Sequence, residues 1–128
     1  MALYDAPQEP ERDRLMAVFE NEDQIRALSP DLGALRKLPS VSIMVTAPGW
    51  QVDFVSRYFA PNHGIDEDPV TGSNHCLLIP YWAERLGKTE LVGRQISARG
   101  GELKCSLKGD RVEMAGKAVR YLSGHIEI

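Results

Sequence analysis

The segment HGIDEDPVTGSN, residues 63–74, gathers the side chains of this chain best suited to chemistry. Asp66, Glu67 and Asp68 place three carboxylates immediately before Pro69. Thr71-Gly72-Ser73 then leads into an apolar run that begins after Asn74. A carboxylate can accept or deliver a proton when its surroundings poise it. The opening of a helix offers unpaired backbone N–H groups and the positive end of a dipole, which together favour a carboxylate or a phosphate. Gly72 lacks the Cβ that would hold a ligand away from the backbone. A second reading stands beside this one: Thr71 or Ser73 simply caps the helix and the acids are solvated. His75, in the helix's first turn, either touches a bound anion or packs as a core histidine. His63 reads as a surface loop residue or a proton shuttle, and Arg99 as an anion contact or a solvated turn residue.

Other elements must position that loop. Residues 1–13 carry two prolines and no periodicity, and they read as a tail ahead of a domain over 14–128. Leu15 to Phe19 is an apolar run suited to a buried strand. Asn21 with Gln24 makes a capping box for a short helix through Leu28. Ser29-Pro30-Asp31 signals a second helix ending near Leu38-Pro39. Val41–Thr46 and Val52–Phe59 read as strands. The stretch from Asn74 to Leu86 is a helix closed by Gly87, apolar all round until Glu84, and Pro80 lies inside it. A helix with no polar face must be wrapped by other structure, so Tyr81 and Trp82 read as core. Gln95–Arg99, the alternating residues around Leu103, Cys105 and Leu107, then Val112 to Met114, and one or two strands over Lys117–Ile128 complete about seven strands. The expected fold is α+β, with a mixed, strongly curved sheet around a central buried helix.

Composition narrows the classes of partner. The 128 residues are enough for one domain, and 43% of them are hydrophobic. The net charge of −3 and the absence of any basic run argue against a nucleic-acid partner. No apolar stretch approaches the roughly 20 residues of a membrane-spanning helix, and the start of the chain does not read as a signal peptide, which makes the cytoplasm the default expectation. Cys76 and Cys105 lack Cys-x-x-Cys spacing and read as free thiols, with one disulfide as the alternative. The three histidines have no metal-ligand spacing, so no metal is expected.

The runs RYFAPNHGIDEDPVTGSNHCLLIPYW, LGK, RQISARGGEL and DRVEMAGKAV together resemble the phenazine-biosynthesis PhzF-like proteins, and the EDPVTGS element is the specific part of the pattern. The resemblance runs from about Leu15 to Ile128. It implies one half of a diaminopimelate-epimerase-like fold, in which two similar halves each wrap a mixed sheet around a helix. It implies a cofactor-independent isomerase or epimerase that moves a proton on a small carboxylate substrate. Carried over by position, Asp68 faces the cleft as the catalytic carboxylate. Gly72 and Ser73 hold the substrate, with Thr71 and His75 beside them. Related racemases place a Cys in this loop; here Asp68 stands in its place, and Cys76 falls within the helix. The family's catalytic Glu and its neighbouring His belong to the other half and have no matching position here. Two expectations follow. One is a proton-transfer enzyme completed by a homodimer or by a separately encoded N-terminal half. The other is an inactive half-domain that binds small carboxylates or only dimerises.

Overall fold

The computed structural model describes residues 2–5, 14–38 and 42–127. Seven strands form one mixed sheet in chain order: β1 (Ala2–Asp5), β2 (Arg14–Val18), β3 (Ser42–Pro48), β4 (Phe54–Phe59), β5 (Glu90–Gln95), β6 (Gly101–Lys108) and β7 (Arg111–Ala115). The helices are α1 (Glu22–Ala27), the single turn α2 (Leu32–Leu35) and α3 (His75–Leu86). The pairs β2·β3 and β4·β5 are parallel and the other four are antiparallel. Each parallel pair is joined through helix, as a parallel connection requires.

The two crossovers advance across the sheet in the same lateral direction, but β2 and β4 run oppositely. A right-handed connection therefore puts α1 on one face and α3 on the other. The side chains agree. Ala17, Ile25, Val45, Ala47, Val55 and Phe59 form one core cluster under α1. Met16, Met44, Phe54, Tyr58, Leu78, Ile79 and Trp82 belong to a second cluster under α3. Met44 and Val45 are neighbours in β3 and serve opposite cores, because successive strand residues face opposite ways. Phe54 stacks on Trp82 at a centroid distance of 6.0 Å, and the indole Nε1 donates to Thr46 Oγ1 at 3.0 Å.

Several expectations change. Ala2–Asp5 is an edge strand paired with β2, not part of a tail; residues 6–13 lie outside the described residues. Asn21 caps α1 as read, accepting from Gln24 N at 3.0 Å. Asp31, not Ser29, caps α2, whose single turn contains Gly33, a poor helix former. The strand expected at Gln95–Arg99 is instead Glu90–Gln95, and residues 97–99 are a bend.

Residues 116–127 form no strand. The sheet is open, and α3 is not caged among the described residues. His75, Leu78, Ile79, Trp82 and Ala83 are buried on one face, while Cys76 and Pro80 on the other are exposed. Gly87 ends α3 in the left-handed region, at φ 65°. Both cysteines are free, and burial, with the neighbouring Cys76, pushes the Cys105 thiol up to about 11.

Candidate active site

The loop from Asp66 to Ser73 joins β4 to α3, and its three acids are held in three different ways. Asp66 pairs with Arg36 at the surface. Glu67 takes a two-pronged ion pair from Arg57, at 2.8 and 2.9 Å. The same guanidinium donates to Ile25 O and Leu28 O at the end of α1, so the far side of the loop is tied to the α1 layer. Asp68 N donates to Tyr58 O at 3.0 Å, which pins the chain to β4. The Asp68 carboxylate accepts at Oδ2 from the Thr71 hydroxyl at 2.6 Å. Its Oδ1 takes no hydrogen bond from any described residue.

Behind this loop lies the fully buried side chain of Gln95, the last residue of β5. Its Oε1 accepts from Thr71 N at 2.8 Å, and its Nε2 donates to Asp68 O at 2.6 Å and to Thr71 Oγ1 at 3.2 Å. Because Gln95 fills the acceptor side of the Thr71 oxygen, the hydroxyl proton must point at Asp68. Ser97 adds a second tie, donating to Pro69 O at 2.8 Å. The Asp68 and Pro69 carbonyls are thus both satisfied from the β5–β6 connection, as a partly buried loop demands.

The chain then enters a 3₁₀ turn at Gly72–Asn74 that runs directly into α3. Among the described residues nothing accepts from the N–H groups of Gly72 and Ser73, and both residues are exposed. Arg14, at the start of β2, lies over the Tyr58 ring and brings Nη1 to 3.4 Å from Ser73 Oγ. Asn74 is 1% exposed, and neither its Oδ1 nor its Nδ2 has a partner among the described residues. Buried amides are nearly always hydrogen-bonded, so Asn74 is an exception within this fold. An open groove of about 720 Å³ is lined by Val70 together with Gly100–Lys104 and Ala115–Lys117. It shares only Val70 with the loop, and Asp68 does not line it.

Asp68, Thr71, Gly72 and Ser73 therefore come together, with divided roles. Thr71 is 8% exposed, and both its N–H and its hydroxyl are committed inside the loop; it positions Asp68. His75 corrects the reading as a substrate contact, since it is fully buried and its Nδ1 lies 3.0 Å from Thr71 O. That contact places the proton on Nδ1 and makes His75 a packed clamp on the loop. His63 and Arg99 are exposed and stand apart from the loop's polar network. The sequence alone does not single out Gln95, Ser97, Arg14 or Asn74.

Burial holds the His75 imidazole below its ordinary 6.5, and its bonds to the Thr71 and Gly72 carbonyls only partly oppose this. The unfolded chain therefore takes up a proton near pH 6.5 that the folded chain refuses. Stability is complete above that pH and is lost as the pH falls through it toward the lowered value. Urea unfolding should show this decline, and His75→Gln should lack it. A wild-type midpoint that does not fall below pH 6.5 would contradict a neutral buried ring.

The family model described as phenazine biosynthesis-like protein (PhzC-PhzF) matches residues 8–124. The chain belongs to the PhzC/PhzF family. A Pseudomonas aeruginosa protein named as an uncharacterized isomerase is 57% identical over 116 residues, which cover 91% of this chain and 44% of that protein. A second uncharacterized isomerase of the same organism is 49% identical over 116 residues, 91% of this chain and 45% of that protein. The crystal structure of a PhzC/PhzF protein from Clostridium difficile matches with a TM-score of 0.80 and 38% identity, covering 100% of this chain and 55% of that one. A PhzF-family structure from Enterococcus faecalis gives 0.76 and 37%, covering 95% and 55%. The chain thus spans about half the length of the PhzF relatives it matches. Among the described residues no helix is long and apolar enough to cross a membrane.

Proposed function

We propose that this PhzF-family chain forms one wall of a proton-transfer isomerase acting on a small carboxylate. Family membership and relatives named as isomerases support an isomerase-type function. The observation that carries the finer reading is the Asp68–Thr71–Gln95 chain of hydrogen bonds. It leaves one carboxylate oxygen unoccupied a few residues before two unpaired backbone amides. The substrate's carboxylate sits against Gly72 and Ser73, with Arg14 alongside as counter-charge. Asp68 Oδ1 removes a proton from the carbon next to, or conjugated with, that carboxylate. It then returns the proton at a different carbon, or an acid on the facing wall delivers a proton to the opposite face while Asp68 keeps the one it removed. Bond order shifts within the substrate, no electrons leave it, and no cofactor is consumed.

Asp68 is only half-buried, and proton transfer at carbon calls for a site that keeps water from the reacting groups. Closure by a facing wall, from a second copy or a separate half, is part of the proposal. The same exposure favours the second reading, a half-domain that binds small carboxylates without turnover.

The test is solvent deuterium uptake into a panel of amino-acid and dihydroaromatic carboxylates, followed by NMR. Exchange at one carbon position that drops at least tenfold in Asp68→Asn supports proton transfer. Exchange unaffected by Asp68→Asn would remove Asp68 from the chemistry. Saturable carboxylate binding without exchange leaves the binding role.

A further inference from the structure

Arg99 is left over by the site described above. It is exposed, and it makes no ion pair or hydrogen bond with any described residue. It lines an open groove of about 440 Å³ together with Arg26, Arg94 and Glu102. The three guanidiniums come from three separate elements: α1, β5 and the bend after β5. Leu91, Gly93 and Gln95 serve the α3 core, so Arg94 between them faces the α1 side, as Ile96 does in packing against the cluster under α1.

Two of these cations are held in place without being used up. Arg26 donates from Nε and Nη2 to Glu22 Oε1 and lies over the Trp50 ring at 5.4 Å. Arg94 donates from Nε and Nη2 to Glu102 Oε2 at 3.2 and 2.8 Å. A guanidinium carries five N–H donors, so each keeps more than it has committed. Glu22 is 3% exposed and accepts from Trp50 N at its other oxygen, so it anchors Arg26 from behind. Glu102 is the one acid among the lining residues, against three arginines. That reverses, locally, the sign of a chain whose net charge is −3.

A carboxylate has two oxygens and is matched by one guanidinium fork. Three forks on one groove suit an anion with more oxygens and more charge, and a phosphate group has both. We infer that this groove binds the phosphate of a small molecule, and that its occupancy steadies the loop carrying Asp68. The link is the bend itself. Gln95 and Ser97 also line the groove, and they are the residues that hold Thr71, Asp68 O and Pro69 O. Ser97 Oγ in addition accepts from Gly100 N at 3.0 Å, which fixes the bend's shape. An anion shared by Arg26, Arg94 and Arg99 ties that bend to α1. Arg57 already ties the other side of the loop to α1. The groove is separate from the amides of Gly72 and Ser73, whose neighbouring cation is Arg14. The inference needs no part of the proposed reaction, since binding is measured without substrate.

The experiment titrates inorganic phosphate and pyrophosphate into the full chain by calorimetry, with ionic strength held at about 0.15 M so that screening stays fixed. At least one of the two should bind with a Kd of about 1 mM or tighter. Arg94→Ala and Arg99→Ala should each weaken that binding about tenfold, as loss of a charge-assisted contact does. Glu102→Gln should strengthen it about threefold, because it frees Arg94 and removes the acid from the groove. Arg14→Ala removes the same charge elsewhere and should change nothing. With the anion at about twice its Kd, hydrogen exchange at the Thr71 amide should slow about threefold. No binding of either probe, or binding indifferent to both arginine variants, would overturn the proposal. So would binding lost in Arg14→Ala, which would place the anion at the opening of α3. Binding with an unchanged Thr71 amide would overturn the coupling to the loop.

Discussion

Replacing Gln95 with Leu is expected to destabilise the chain by about 3 kcal/mol, since each buried group left without a partner costs roughly 1–3 kcal/mol. The side chain makes three hydrogen bonds from a fully buried position. Leucine fills much of the same space but satisfies none of them. Thr71 N and Asp68 O would be orphaned together, and the Thr71 hydroxyl would lose the donor that turns its proton toward Asp68. The loss should therefore appear both globally and locally. Urea unfolding reports the first. The second is the Thr71 amide, whose hydrogen exchange should accelerate at least a hundredfold relative to amides in β3. Gln95→Glu distinguishes shape from bonding, because it keeps the acceptor for Thr71 N but has no proton for the Asp68 carbonyl unless it stays neutral. An unchanged midpoint with a still-protected Thr71 amide would show that the loop holds its shape without Gln95.

That residue also shows why part of the site is not legible in the sequence. The inward positions of β5 are Leu91, Gly93 and Gln95. Only the first is apolar and large, so the alternation that identifies a strand is hidden, and the pattern places the strand five residues late. Gly93 faces inward because a ring covers it, and Gln95 because the loop's backbone needs it there. Neither reason involves hydrophobicity. Arg14 and Asn74 escape for a related cause: their roles come from what a parallel crossover brings beside them. By contrast the grouping of Asp68, Gly72 and Ser73 on one loop is readable. They are local to one segment, so their placement follows from the run between β4 and α3 without any long-range pairing.

The helix α3 illustrates the opposite error. Its apolar residues fall on every side, which implies burial all round, yet the structure covers only the face of His75, Leu78, Ile79, Trp82 and Ala83. The pattern is a demand for cover, but a sequence does not say whether its own chain supplies that cover. The strands expected over Lys117–Ile128 fail in the same way. A few β-branched and aromatic residues do not make a strand unless a neighbouring strand supplies the hydrogen bonds, and none among the described residues pairs with this segment. Both departures are apolar patterns that the described residues leave uncovered.

Gly93→Ala should cost about 3 kcal/mol and lower the melting temperature by roughly 10 °C, at the upper end for overpacking a tight core. Gly93 stands opposite Phe54 in the parallel β4·β5 pair. A Cβ on Gly93 would fall 2.6 Å from Phe54 Cε2 and closer still to Cζ, inside any contact a carbon atom tolerates. The ring has nowhere to go, because Phe54 is fully buried, stacked on Trp82 and 6.0 Å from His75. Relief would require β5 to move away from β4, which would carry Gln95 away from Thr71. The substitution should therefore also loosen the loop, and the Thr71 amide should lose protection as it does in Gln95→Leu. The compensating change is Phe54→Leu, which removes the ring edge at the price of a smaller core. The pair Gly93→Ala/Phe54→Leu should be more stable than the sum of the two single losses by at least about 1 kcal/mol, a coupling expected only for residues in contact. The control is Gly87→Ala, where nothing lies within 4 Å and only the left-handed φ of 65° is penalised, at about 1 kcal/mol. If Gly93→Ala proves no more costly than Gly87→Ala, or if the pair is simply additive, the ring does not close over Gly93. The link from the core of β4 and β5 to the position of Asp68 would then have to be abandoned.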